Sequence, residues 1–227
     1  MERVTVSKDR HTIAVGADAT TAIIERVPNE RALFVFAHGA GGHMADRGME
    51  QLATLLHKRG VSTVRFNFLY REKGSRRPDP TLHLEACMSA VIEHARKTLE
   101  PRTLLIGGRS MGGRIGSMLA AKGLRCEGLL LFAYPLHPAG KLENLRDAHL
   151  RDISVPVLCF NGTRDALCTR ELMDKVVGSL GENWTLHWLD GADHSFHVLK
   201  SSGRTDADVM KEVDSAVATW LEQTIGV

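Results

Sequence analysis

Short unbroken apolar runs alternate along the chain with longer segments in which apolar residues return every three or four positions. Residues 33–37 (LFVFA), 61–66 (VSTVRF), 103–107 (TLLIG), 128–133 (GLLLFA), 155–160 (VPVLCF) and 185–189 (TLHWL) read as strands. Runs of this kind suit strands covered on both faces. Between them, residues 46–59, 82–99, 110–122, 171–180 and 206–222 read as helices. In 46–59 the apolar side holds Met49, Leu52, Leu55 and Leu56, and Gly60 follows as a stop. In 82–99 it holds Leu84, Cys87, Met88, Val91, Ile92 and Ala95, and in 206–222 Val209, Val213, Ala216, Val217 and Trp220. Strand–helix alternation predicts an α/β fold: a mostly parallel sheet with helices on both faces. Residues 4–7, 12–15 and 21–27 look like short strands with turn residues between them, expected to form an antiparallel N-terminal edge. No linker, repeat or low-complexity stretch interrupts the pattern, so residues 1–227 read as one domain.

Composition narrows the function classes. Lys and Arg number 29 against 27 Asp and Glu, a formal charge of +2 that gives no electrostatic case for a nucleic-acid partner. Aromatic content of 5% also argues against a base-stacking surface. Cys87, Cys126, Cys159 and Cys168 show no C-x-x-C spacing, and are expected as buried small hydrophobes in a reducing compartment. The opening stretch MERVTVSKDRHTIAVG lacks the apolar centre of a signal peptide, and no run approaches the ~18 apolar residues of a membrane span. The expectation is a cytoplasmic protein with no membrane partner. Its oligomeric state is left open. With no H-E-x-x-H and no paired cysteines, neither a metal nor a cofactor is expected.

Candidate chemistry centres on Gly108-Arg109-Ser110-Met111-Gly112, a G-x-S-x-G pattern. It falls between a buried strand and an amphipathic helix, where a sharp turn lifts the serine hydroxyl above the sheet. The bland alternative is a glycine-rich turn with a capping serine. His38-Gly39-Ala40-Gly41-Gly42 follows the first parallel strand, so the N–H groups of Ala40 and Met111 are the expected oxyanion donors. A phosphate-binding loop is the competing reading of that turn, and it lacks both G-x-G-x-x-G and a following Lys-Ser/Thr. A serine nucleophile needs a base, and the base needs an orienting carboxylate. His194 and Asp165 each follow a strand, at the edge where parallel sheets build sites. Asp190 and Asp193 are rival acids. Asp165 is preferred because a sequence neighbour rarely points its carboxylate at the adjacent ring. Of the other histidines, His38 reads as a loop-packing residue, and His57 and His94 as surface residues on helices.

The motifs HGAGG, GRSMGG and GTRD…GADHSF, in this order, resemble the alpha/beta-hydrolase superfamily over most of the chain. GGRSMGGR (107–114), YPLHPAGK (134–141), LRDAHL (145–150) and LHWLDGADHSF (186–196) are similar to a small lid-less subgroup. That subgroup includes dienelactone-hydrolase-like bacterial proteins and the testis-expressed and KANSL-type hydrolase-like proteins. The resemblance implies the hydrolase fold and a Ser110–His194–Asp165 triad, but no particular substrate. Dienelactone hydrolases proper carry cysteine where this chain has Ser110, which argues against dienelactone chemistry.

The expected reaction is two-step acyl transfer to water on a small-molecule ester or thioester. Only residues 134–154 separate two successive strands where related folds insert a cap, so an open, shallow cleft with no cap domain is expected. Its candidate walls are Phe68, Tyr70, Met111, Leu136 and Phe196. Arg71, Lys73, Arg76 and Arg77 crowd one loop, read either as attraction for an anionic substrate tail or, more commonly, as a solvated loop. The different-class alternative is a binding or scaffold protein on the same fold. A cofactor-free perhydrolase would use the same triad.

Overall fold

The computed structural model describes residues 5–227. Eight strands form one sheet in the order β1-β2-β4-β3-β5-β6-β7-β8. A hairpin of β1 (Ser7–Val15) and β2 (Asp18–Arg26) makes the antiparallel edge, and β2 joins β4 (Val61–Phe66) antiparallel as well. The remaining pairs are all parallel: β4 with β3 (Ala32–Ala37), then β5 (Leu104–Arg109), β6 (Gly128–Phe132), β7 (Val157–Gly162) and β8 (Trp184–Leu189). The N-terminal edge corrects one expectation. Residues 8–11, expected between two short strands, continue a single strand β1, because their polar side chains face solvent at a sheet edge. Val4 of the expected strand 4–7 lies outside the described residues.

Alternating side chains of each central strand point to opposite faces, and each face is covered. Phe34 and Phe36 of β3 pack with Phe132 and Phe160 under α1 (Arg47–Lys58) and α6 (Asp206–Trp220). Leu33 and Val35 pack with Ile106, Leu129 and Cys159 under α3 (Thr81–Leu99), α4 (Met111–Ala121) and α5 (Arg170–Val177). A further short helix, α2 (Leu69–Glu72), stands where a loop was expected. All four cysteines are buried and free. No helix of the described residues is long and apolar enough to cross a membrane.

Two expectations about histidines resolve differently. His57 is not on the surface: it is buried, with Nε2 3.0 Å from Thr63 Oγ1, because the α1 face on which it sits packs over polar side chains of β4. His94 is half-buried beside His11. The connection 133–156 between β6 and β7 carries only a 3-10 turn, Leu150–Asp152, so no cap stands over the carboxyl edge of the sheet.

Candidate active site

The turn between β5 and α4 is built around one carbonyl. A Cβ added at Gly108 would lie 2.2 Å from the Ala37 oxygen, and one at Gly112 would lie 2.4 Å from the same atom. Only glycine at both positions lets the end of β5 and the start of α4 close onto β3. Ser110 between them has φ 51° and ψ −118°, a conformation costing about 1–3 kcal/mol that persists because its surroundings fix it. Its N–H donates to the Phe132 carbonyl (2.8 Å), and its carbonyl accepts from Arg114 N–H (3.0 Å). The hydroxyl is thereby left pointing off the helix start.

His194 Nε2 lies 2.9 Å from Ser110 Oγ, and His194 Nδ1 lies 2.7 Å from Asp165 Oδ2. The structure thus brings these three residues into one row. The Asp165 side chain has no exposed surface, and its second oxygen accepts from Leu167 N–H (2.8 Å). With both oxygens engaged, the carboxylate has one orientation, and it fixes the ring so that Nδ1–H donates to it and Nε2 accepts from the serine. The rival acids are occupied elsewhere. Asp193 Oδ1 accepts from the N–H groups of Ser195 (2.7 Å) and His197 (3.0 Å), which shapes the loop, and Asp190 accepts from the Thr163 hydroxyl (3.3 Å).

The turn 38–42 lies against Ser110: a Cβ on Gly39 would come within 3.3 Å of Ser110 Cβ. His38 anchors this turn from below. It donates from Nδ1 to the Gly39 carbonyl (2.8 Å) and accepts the Phe68 N–H at Nε2 (3.1 Å), an arrangement only the neutral ring can make. Burial lowers its pKa to about 4. The Tyr70 hydroxyl accepts from Gly41 N–H (3.2 Å), and burial raises the pKa of that phenol. Neither Ala40 N–H nor Met111 N–H donates to an acceptor within the protein among the described residues, so both remain available to a ligand.

The expected walls need correction. Phe68 and Leu136 have 0% exposure and Tyr70 has 1%: they are core residues that support the turns, with no surface left for a substrate. Phe196 is 6% exposed and holds a positive φ of 65° in the loop after His194. It lines a groove of about 930 Å³ between α1 and α6, together with Arg109 and Ser195, and Ser110 lies outside that groove. Met111 is half-buried. In the basic loop, Lys73 pairs with Asp18 at 2.8 Å, Arg71 donates to the Ser75 carbonyl, and Arg76 and Arg77 are exposed.

Sequence reasoning missed Arg109. Its Nη2 donates to the His194 carbonyl (3.2 Å), tying the turn at Ser110 to the loop of His194. Burial lowers its pKa, against the pull of Asp46, Asp193 and Asp165. In the motif it is only the variable position, and nothing local signals its reach.

A family model described as an alpha/beta hydrolase domain matches residues 30–222. Among solved structures, the chain resembles an alpha-beta serine hydrolase homologue from Coxiella burnetii, with TM-score 0.77 and 20% identity over 97% of this chain and 100% of that one. It also resembles a serine hydrolase without a lid from Xanthomonas campestris, with TM-score 0.73 and 21% identity over 96% of each chain. A dienelactone hydrolase from Anabaena variabilis aligns with TM-score 0.74 and 14% identity, over 95% of this chain and 97% of that one.

Proposed function

Because the chain belongs to the alpha/beta hydrolase domain family, we propose that it is a serine hydrolase cleaving an ester or thioester of a small acyl substrate. The observation that carries this reading is the unbroken row from Ser110 Oγ through the His194 ring to Asp165, with contacts of 2.9 and 2.7 Å. His194 Nε2 takes the serine proton as Oγ attacks the carbonyl carbon. Asp165 steadies the imidazolium that forms, and the N–H groups of Met111 and Ala40 receive the charge on the tetrahedral oxygen. The leaving group departs with the proton from Nε2. Water, deprotonated by the same nitrogen, then attacks the acyl-serine, and the free hydroxyl is restored. Each oxyanion donor is worth about 10²–10³ in rate. The uncapped carboxyl edge favours small or extended acyl groups over a buried lipid.

Ser110→Ala tests the assignment with p-nitrophenyl acetate as substrate. A loss of at least about 10⁴-fold in kcat is expected, since removing the nucleophile leaves only binding and oxyanion stabilisation. A variant that keeps most of the wild-type rate would refute it.

A further inference from the structure

The loop that carries His194 is closed mainly on itself. Asp193 Oδ1 accepts from the N–H groups of Ser195 (2.7 Å) and His197 (3.0 Å). Asp193 N–H donates to the His197 carbonyl (2.9 Å), and Phe196 N–H donates to the Asp193 carbonyl (2.9 Å). These bonds shape residues 193–197 without fixing where the loop stands over Ser110. The Phe196 ring packs into the core, while the His197–Asp206 pair is more than half exposed on both sides and holds little. Among the described residues, one hydrogen bond from outside the loop reaches the backbone of 193–197: Arg109 Nη2 donates to the His194 carbonyl at 3.2 Å. Its donor is charged, which strengthens it over a bond between neutral groups.

The tether starts from rigid ground. Arg109 is the last residue of β5, in the interior of the sheet, and its Cα is ~3.8 Å from that of Ser110. Its guanidinium is seated against α1: a Cβ built on Gly48 would lie 2.5 Å from Arg109 Nη1. Gly48 stands in the first turn of α1 without a positive φ, so the backbone there does not call for glycine, and alanine is the better helix former. What the missing side chain provides is room for the guanidinium. We propose that Arg109 is a positioning residue: its guanidinium, lodged in the gap that Gly48 leaves in α1, holds the His194 loop so that the imidazole stays within hydrogen-bond reach of Ser110. This rests on the hydrolase reading above, since the tether acts only through the row of Ser110, His194 and Asp165.

The test reads kcat on p-nitrophenyl acetate per active site, with sites counted by fluorophosphonate labelling run to completion. Arg109→Met keeps the stem and removes the donor. It should lower kcat by roughly 10- to 100-fold with KM within about 2-fold of wild type, because a base displaced by about 1 Å costs rate of that order. Arg109→Lys, which keeps a charged donor, should recover part of the loss. Gly48→Ala leaves Arg109 and the row intact but pushes the guanidinium aside. It should lower kcat by roughly 3- to 30-fold at a Tm equal to or above wild type. A merely structural role would instead lower Tm and the number of active sites at unchanged kcat per site. Gly48→Ala also decides the matter should Arg109→Met fail to fold. A wild-type kcat per site in either folded variant overturns the proposal. Amide hydrogen exchange of residues 193–197 reads the tether without turnover, and it should quicken in both variants. Exchange that depends on Arg109 in a protein that cleaves no ester would keep the tether and overturn the hydrolase reading.

Discussion

Two clusters of carboxylate, imidazole and hydroxyl among the described residues differ in every respect that chemistry requires. At the carboxyl edge, Asp165 and Ser110 engage opposite nitrogens of His194, and the hydroxyl stands on a strained turn. Between α1 and the sheet, Thr63 Oγ1 (3.0 Å) and Glu25 Oε2 (3.9 Å) both approach the same nitrogen of His57, and the threonine also donates to Glu25 (3.4 Å). There the carboxylate answers to Arg65, whose Nη2 lies 2.8 Å away, and the hydroxyl is buried within β4. A row with the ring in the middle passes a proton from one end to the other. A cluster on one nitrogen only neutralises a buried charge. On the proposed reading, the same three groups serve reaction in one place and stability in the other.

Replacing the carboxylate by its amide in each set breaks the comparison open. Asp165→Asn should lower kcat on p-nitrophenyl acetate by roughly 10³–10⁴-fold while the melting temperature moves little, because the ring loses its orientation but the loop keeps its packing. Glu25→Gln should leave kcat near wild type and destabilise the fold by about 3 kcal/mol, since Arg65 is then buried beside a neutral partner. At this chain length that is a fall in Tm of roughly 6–12 °C, readable by calorimetry. If Glu25→Gln abolished turnover at unchanged Tm, the division of labour would be wrong.

Acid should sharpen the contrast with a smaller effect. Burial lowers His38 from 6.5 to about 4, so the neutral ring is favoured in the fold. Its contribution is complete above pH 6.5 and is lost as the pH falls through that window toward 4. For Glu25, burial pushes the carboxyl up, but the hydrogen bond and charge of Arg65, with Lys8 and His57, hold it below its ordinary 4.5. Its contribution is present above 4.5 and is lost as the pH drops through the lowered value. Melting temperature should decline below pH 6.5, first through His38 together with the similarly lowered His149, His57 and His94, and then through Glu25. A Tm that rises on acidification from 6.5 to 4 would contradict both assignments.

The row at Ser110 was legible because its demands are local and topological. G-x-S-x-G needs a strand before it and a helix after it, and the expected strand at 103–107 and helix at 110–122 lie within a few residues of β5 and α4. Asp165 and His194 were placed by their positions after strands. What escaped depends on partners distant in sequence. The burial of His57 follows from Thr63 and Glu25 on neighbouring strands, and periodicity on α1 carries no trace of them. Phe68 and Leu136 are apolar whether they line a cleft or fill a core, so only the packed chain tells which. The continuity of β1 was hidden because a solvent-facing edge strand has no apolar run, and α2 is too short to show a helical period.

The central claim is that Ser110 Oγ is an activated nucleophile. Reaction of the folded wild-type protein with a fluorophosphonate, followed by intact-mass and peptide analysis, tests it most directly. The account predicts one stoichiometric adduct on Ser110 that forms far more slowly in His194→Ala. No adduct, or an adduct whose rate is indifferent to the loss of His194, would contradict it.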